Sequence, residues 1–194
     1  MRTMMISLAA SVALLSGCDQ AEPPAAAATF SKTTLTEPVR DRAAEVITPF
    51  KQKLMATLGA ALKESPAHAI DVCQLEAPMI AAALNQDGIR IGRSSHRVRN
   101  PGNAPSPWQE AAISHYLNNP QDRAPQVYHL DNEHVGYAEP IITLPLCLTC
   151  HGSELSSEVQ AALAEKYPQD QATGFADGDL RGIFWVEMEQ PNTL

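Results

Sequence analysis

The run Cys147-Leu148-Thr149-Cys150-His151 is the one stretch of this 194-residue chain that specifies a cofactor. Two thiols three positions apart can add to the two vinyl groups of one porphyrin, and the adjacent histidine can ligate the iron as its proximal ligand. The motif therefore predicts a single haem c, attached through Cys147 and Cys150 and ligated by His151.

Zinc and a redox dithiol are the alternatives to haem at this motif. Structural zinc takes four ligands, and the sequence has no second Cys/His pair at ligand spacing. A redox dithiol normally sits at a helix start inside a βαβ pattern, which the sequence does not show. Haem is the stronger interpretation.

The N-terminus resembles an export signal, as extracytoplasmic haem attachment requires. Arg2 precedes the apolar stretch 4–15, which is too short to span a bilayer. Leu15-Ser16-Gly17-Cys18 resembles a bacterial lipobox, which implies a signal peptide over 1–17 and acylation of Cys18; an ordinary secretory signal is the alternative. Asp19 resembles an inner-membrane retention signal. We expect the protein on the periplasmic side of the inner membrane, lipid-anchored through Cys18.

Composition indicates one folded domain behind a tether. Residues 18–36 include a proline- and alanine-rich stretch with little apolar bulk, so they read as the tether, and 37–190 as the domain. The formal net charge of −8 argues against nucleic acid and against charge-driven adhesion to anionic lipid.

Cys73 has no disulfide partner once the other three of the four cysteines are assigned to lipid and haem. It is either a small buried hydrophobe or the second axial ligand of the iron, a soft thiolate opposite His151. It falls on the apolar stripe of a helix starting at Ser65-Pro66, which Pro78 should break or kink. Its surroundings fit both interpretations.

The remaining pattern alternates helices with a few short strands and predicts an α+β domain. Further helices are expected from Thr36-Glu37-Pro38, with a kink at Pro49, from Ser106-Pro107, and from Ser156 or Ser157 to Lys166. Strands are expected over 89–93, 126–130, 135–142 and 182–186, the middle two as a hairpin.

Four stretches of the chain resemble a family of single-haem c-type proteins with a PAS-like fold, long catalogued as a domain of unknown function. They are Ala69 to Cys73, Val98 to Pro105 with Trp108, Cys147 to Gly152, and Tyr167 to Phe175 running into Gly178 to Gly182. The resemblance implies a PAS-like antiparallel sheet flanked by helices, with a long N-terminal helix. It also implies His151 as proximal and Cys73 as distal ligand. Gln109 departs from the family pattern, where a Glu is expected.

A thiolate opposite histidine favours ferric iron and a low reduction potential. On reduction the iron–sulfur bond weakens, and a vacated site would accept CO or NO. We therefore expect a redox- or gas-responsive sensor acting on a redox partner or signalling protein of the cell envelope, with any signalling output in another protein. One-electron transfer is the close alternative. We expect no enzyme activity, since peroxidase-like chemistry needs an open distal site.

Other side chains could also ligate the iron or contact the haem. Methionine and histidine are ordinary haem ligands, but each candidate has a plainer explanation, Met79 and Met188 as core fillers. The candidates are Met79, Met188, His68, His96, His115, His129 and His134. Arg99 and Arg181, and also Arg97, are candidates for pairing with haem propionates.

Overall fold

The computed structural model describes residues 37–85 and 88–190. The predicted signal peptide, the lipid attachment at Cys18 and the tether lie outside the described residues. The elements, in chain order, are α1 (Glu37–Leu62), α2 (Pro66–Leu84), β1 (Arg90–Ser94), α3 (Pro107–Asn118), β2 (Gln126–His129), β3 (His134–Ile142), α4 (Leu148–His151), α5 (Ser157–Lys166) and β4 (Leu180–Glu189). None of the helices in these ranges is both long and apolar enough to cross a bilayer.

The four strands form one antiparallel sheet in the order β1-β4-β3-β2. The last strand in sequence therefore occupies a central position, between β1 and β3. The hairpin of β2 and β3 was expected, and β4 is longer than the expected 182–186 because both its edges are paired. The predicted α+β class, with an antiparallel sheet, flanking helices and a long N-terminal helix, is confirmed.

Helices cover both faces of the sheet. The face carrying Val135 and Val186 packs against α1 and α2 through Phe50 and Ile80. The opposite face carries Ala138 and Ile183 and packs against α3, where Trp108 and Tyr116 are almost completely buried. Each strand thus alternates its side chains between two apolar layers, as a sheet covered on both sides requires.

Prolines lie inside both long helices without ending them. Pro78 was expected to break or kink the helix after Cys73, and the break is excluded because α2 continues through Pro78 to Leu84. Pro78 is exposed, so water can satisfy the carbonyl that loses its amide donor, while Ala77 and Ile80 beside it are buried in the core. The helix α1 likewise continues through Pro49, which is exposed next to buried Phe50.

Candidate functional site

The Cys-x-x-Cys-His motif begins at Cys147, the last residue of a 3-10 turn over Pro145–Cys147, and continues through α4, which is a single helical turn. Cys147 and Cys150 are free, half-buried thiols one turn apart. The Cys147 sulfur accepts a hydrogen bond from the amide of Leu144 at 3.4 Å. The turn therefore presents two thiols and an imidazole from one short segment, as attachment of a single macrocycle requires.

The imidazole of His151 is oriented by the backbone. Its Nδ1 lies 2.6 Å from the carbonyl oxygen of Ala172, so Nδ1 carries the proton and donates it. Nε2 keeps its lone pair and has no hydrogen-bond partner among the described residues. Arg181 Nε lies 3.3 Å from the same Nδ1, which cannot accept while it donates, so that approach is a packing contact.

Burial and positive neighbours keep His151 neutral. Desolvation is the largest cause, followed by the guanidinium groups of Arg181 and Arg99, and together they lower the pKa of His151 to about 2. A neutral imidazole with a free Nε2 is the form that ligates a metal. The imidazole of His151 is thus in a form that is suited to binding a metal.

Phe175 lies against the imidazole. The two rings meet edge to face with centroids 6.3 Å apart, and the Phe175 amide donates to the His151 carbonyl at 2.9 Å. The Arg97 guanidinium lies 3.9 Å from the Phe175 ring centroid and that of Arg181 5.2 Å. Phe175 therefore packs together the proposed proximal ligand and two of the site's cations.

Arg99 ties the motif to the segment before Phe175. Its Nε donates to Asp170 Oδ2 at 3.1 Å, and its Nη2 donates to the carbonyls of Cys150 and Ala172 at 2.5 and 3.2 Å. Both charged side chains are mostly buried, at 13% and 8% exposure. Arg99 thus has a structural role alongside its predicted contact with a propionate.

Arg181 is anchored to the loop after β1. Its Nη1 donates to Ser95 Oγ at 3.1 Å and to the Arg97 carbonyl at 3.4 Å. Burial, followed by repulsion from Arg99 and Arg93, lowers its pKa to about 9. The arginines are crowded enough to disfavour one another's charge, so the site favours an anionic ligand.

Arg93 was not among the site residues predicted from the sequence. It lies on β1 opposite Phe184, on the same strand face as Ile91, which packs in the core beneath α1 and α2. Burial lowers the pKa of Arg93, whereas Cys73 and then Tyr167 raise it. The signal was present: in an alternating strand, a charged residue two positions from a buried Ile points into the same layer.

Cys73 lies half-buried on α2, within electrostatic reach of the motif. Burial raises the pKa of its thiol, and Arg93 and Arg99 oppose that rise. The pKa of Cys150 is likewise raised, first by burial and also by Cys73. An apolar cluster shared by α2 and α5 has Cys150 packed against it. The structure thus brings Cys73, Cys150 and His151 to one region, as the resemblance implied.

Most other ligand candidates lie elsewhere or have partners. Met188 is a buried core residue as expected, but Met79 is 63% exposed on α2, so its assignment as a core filler is wrong. His96 is the candidate beside the site, with its ring 5.9 Å from that of Phe175. Ion-pair contacts within 4 Å engage three further histidines: His68 with Glu64, His115 with Asp122 and His134 with Asp131. His129 ends β2.

Gln109 occupies the position where the family pattern has Glu. It is almost completely buried, and its Oε1 accepts a hydrogen bond from the Ser106 amide at 3.1 Å at the start of α3. An amide oxygen therefore makes the capping contact that a carboxylate would make. The departure leaves the helix start intact.

Fold and site together define an α+β domain with a central antiparallel sheet and a thiol–imidazole attachment motif surrounded by arginines. The chain belongs to the Tll0287-like family, whose model matches residues 20–188. It is similar to the crystal structure of the cyanobacterial haem protein Tll0287, at 26% identity and a TM-score of 0.58, over 82% of this chain and all of that one. Comparison with curated proteins gave no match. The family resemblance stated from the four stretches is confirmed.

Proposed function

We propose that this protein binds a single haem c, with His151 and Cys73 as axial ligands, and acts as a redox- or gas-responsive sensor in the cell envelope. When bound, haem iron supplies a one-electron couple and, if a ligand leaves, a site for a diatomic gas. The kinship with a haem protein and the attachment motif support haem as the cofactor.

The state of His151 carries the proposal. Its Nδ1 is committed to the Ala172 carbonyl, its pKa is far below the ordinary range, and its Nε2 is free. A hydrogen bond from the non-ligating nitrogen fixes ring orientation and raises ligand basicity in metal proteins. A histidine that served only as core packing would have no need of a free nitrogen in a cluster of cations.

The charges around the motif fit a dianionic macrocycle. Arg93, Arg97, Arg99 and Arg181 are gathered here, whereas the chain as a whole carries a net charge of −8. Asp170 is the acid that pairs with this group, and Arg99 engages it. A positive pocket in an acidic protein suits two propionates.

Cys73 supplies the sensing step of the proposal. A Cys73 thiolate would stabilise ferric iron, and on reduction it could take up a proton and leave as the neutral thiol. Burial raises the pKa of the unbound thiol and thereby favours that released, neutral form. Movement of α2 on release would reach α1 and α5, against which it packs. The signal would then pass to a partner in the envelope.

One-electron transfer is the second candidate, and one observation favours it. Leu144 and Leu146, which immediately precede the first attachment cysteine, are 55% and 51% exposed. Exposed apolar side chains beside a haem edge are suited to brief docking of a redox partner. A carrier would keep both ligands in the two oxidation states, whereas a sensor would change one.

Reduction of the holoprotein under CO separates the two candidates. If the protein is a sensor, dithionite-reduced wild type should bind CO after a delay, because Cys73 must first leave the iron. Cys73→Ser should bind CO without that delay. Met79→Leu, an exposed change on the same helix, is the matched control and should behave as wild type. A wild-type ferrous spectrum that CO leaves unchanged would favour the carrier. Zinc without haem in the purified protein would overturn both.

The anchoring of the protein is a further part of the proposal. Lipid attachment at Cys18 would hold the domain at the periplasmic side of the inner membrane through the 18–36 tether, with no contact to nucleic acid. Palmitate labelling of wild type and of Cys18→Ser, followed by separation of the two membranes, tests this. Label retained in Cys18→Ser would exclude acylation at that cysteine.

A further inference from the structure

Arg93 is a cation whose guanidinium has no hydrogen-bonding or ion-pair partner among the described residues. It is half-buried on β1, and among residues 37–85 and 88–190 it meets neither a hydrogen-bond acceptor nor a carboxylate at ion-pair distance. The other site arginines differ: Arg99 and Arg181 donate to carboxylate, hydroxyl or carbonyl groups, and Arg97 stacks on Phe175.

An unpaired guanidinium withdrawn from water is costly. Removing a charge from solvent without a counter-ion typically costs several kcal/mol, so such groups are found paired with anions or ligands. Asp170 is engaged by Arg99, and the nearest titrating groups acting on Arg93 are the Cys73 thiol and the Tyr167 hydroxyl, both neutral when unperturbed. A ligand that carries a carboxylate would supply the missing counter-ion.

The position of Arg93 identifies that ligand. Arg93 lies on β1, which packs against the Cys73 helix α2, and its charge acts on both Cys73 and His151, so it lies near both proposed axial ligands. A haem held between those two side chains carries two carboxylates, and a guanidinium fork matches a carboxylate with two parallel hydrogen bonds.

We propose that Arg93 is a haem-propionate-binding residue that pairs with one of the two carboxylates between β1 and α2. The inference rests on the proposed function, since it needs a haem. It adds to that function a contact between a haem propionate and β1, the strand that packs against the Cys73 helix. Arg93 is a positioning residue, and it has no role in bond making.

Resonance Raman spectroscopy of the holoprotein tests the pairing directly. The propionate bending mode reports the hydrogen bonds made by the carboxylates, and it should shift to lower frequency in Arg93→Gln. Arg93→Lys keeps the charge but not the fork, so it should give a smaller shift and serves if the Gln variant folds poorly. Arg90→Gln is the matched control, since Arg90 is on the same strand, exposed, and pairs with Glu187.

A second readout is the reduction potential. Loss of a positive charge near the iron favours the ferric form, so Arg93→Gln should raise the ferric-to-ferrous ratio at fixed applied potential by at least about threefold, as expected for one charge at about 10 Å in a screened site. Arg93→Lys keeps the positive charge, so its ferric-to-ferrous ratio should remain close to that of wild type.

The outcomes separate this inference from the function on which it rests. Wild-type protein without a pyridine haemochrome spectrum would overturn both. A haem-loaded Arg93→Gln whose propionate mode matches that of wild type would overturn the Arg93 assignment alone, even if the potential falls, because a cation acting on the Cys73 thiolate would change only the potential. A shifted mode in both Arg93 variants and an unchanged one in Arg90→Gln supports the pairing.

Discussion

The Nδ1 nitrogen of His151 lies 2.6 Å from the carbonyl oxygen of Ala172. The segment that supplies this carbonyl is itself held, because the Ala172 amide donates to Asp170 Oδ1 at 2.7 Å and Arg99 bonds both residues. Orientation of the proposed proximal ligand therefore depends on a backbone group, which substitution of a side chain can displace but not delete.

Replacing Arg99 should loosen that segment. Arg99→Gln removes a mostly buried ion pair with Asp170 and two hydrogen bonds to carbonyls, and it should lower the free energy of unfolding by about 2 to 3 kcal/mol. Urea unfolding measures this. Arg42→Gln, which breaks an exposed pair with Glu45, should cost less than about 0.5 kcal/mol. Equal losses in the two variants would contradict the role of Arg99.

Phe175→Leu should affect the ligand as well as stability. The ring is 3% exposed and contacts His151 and Arg97, so its loss should cost about 1 to 2 kcal/mol. Freed of its edge contact, the imidazole should turn, and the ferric paramagnetic resonance g-values should spread relative to wild type. Unchanged g-values with reduced stability would show that Phe175 contributes to packing but does not orient the His151 imidazole.

Two glycines should respond in opposite directions to alanine. Gly182 has φ 156°, and a Cβ there would lie 2.2 Å from the Ser94 carbonyl oxygen, so Gly182→Ala should cost about 3 kcal/mol. Gly59 lies inside α1 with open space around its Cβ position, so Gly59→Ala should stabilise by about 0.5 to 1 kcal/mol. Thermal melts of both variants test the sign. A tolerated Gly182→Ala would contradict the close approach of β4 to the end of β1.

His134 should titrate above its ordinary range. The hydrogen bond that His134 Nδ1 donates to Asp131 is the largest cause of its raised pKa, and the hydrogen bond from the Glu133 amide is the first cause of the lowered pKa of Asp131. The raised histidine pKa stabilises the fold below the unfolded value of about 6.5, and this contribution is lost as pH rises through the folded pKa. Proton NMR titration should show Asp131→Asn lowering the His134 pKa, while Glu64→Gln leaves it unchanged.

Local signals placed several helix starts well. Serine followed by proline predicted the starts of α2 and α3, and Ser156 caps α5 as expected, because capping depends on a few adjacent residues. The full length of β4 could not be read from its own residues, since it is set by pairing with β1 and β3 on either side.

At the site, too, local motifs could be predicted from the sequence, whereas contacts that depend on the tertiary fold could not. The motif identified Cys147, Cys150 and His151 from spacing alone, and resemblance indicated Cys73. The carbonyl of Ala172 carries no side-chain signature, so its hydrogen bond to His151 was invisible in the sequence. Strand alternation places Arg93 on the same face as Ile91, but its proximity to Cys73 depends on the packing of α2 against that face, which the sequence does not show. Residue type and spacing thus gave candidate ligands and the candidate propionate partners Arg99 and Arg181, but not the backbone group that orients His151 or the position of Arg93.

Ferric optical and paramagnetic resonance spectra of the haem-loaded domain, compared with Cys73→Ser, test the central claim most directly. Serine is close in size to a half-buried cysteine, so the variant should fold. If Cys73 ligates the iron, wild type should show a low-spin thiolate signature that disappears in Cys73→Ser, with the haem still attached through Cys147 and Cys150. Identical spectra from the two proteins would show that Cys73 does not ligate the iron and would contradict the proposed sensing step.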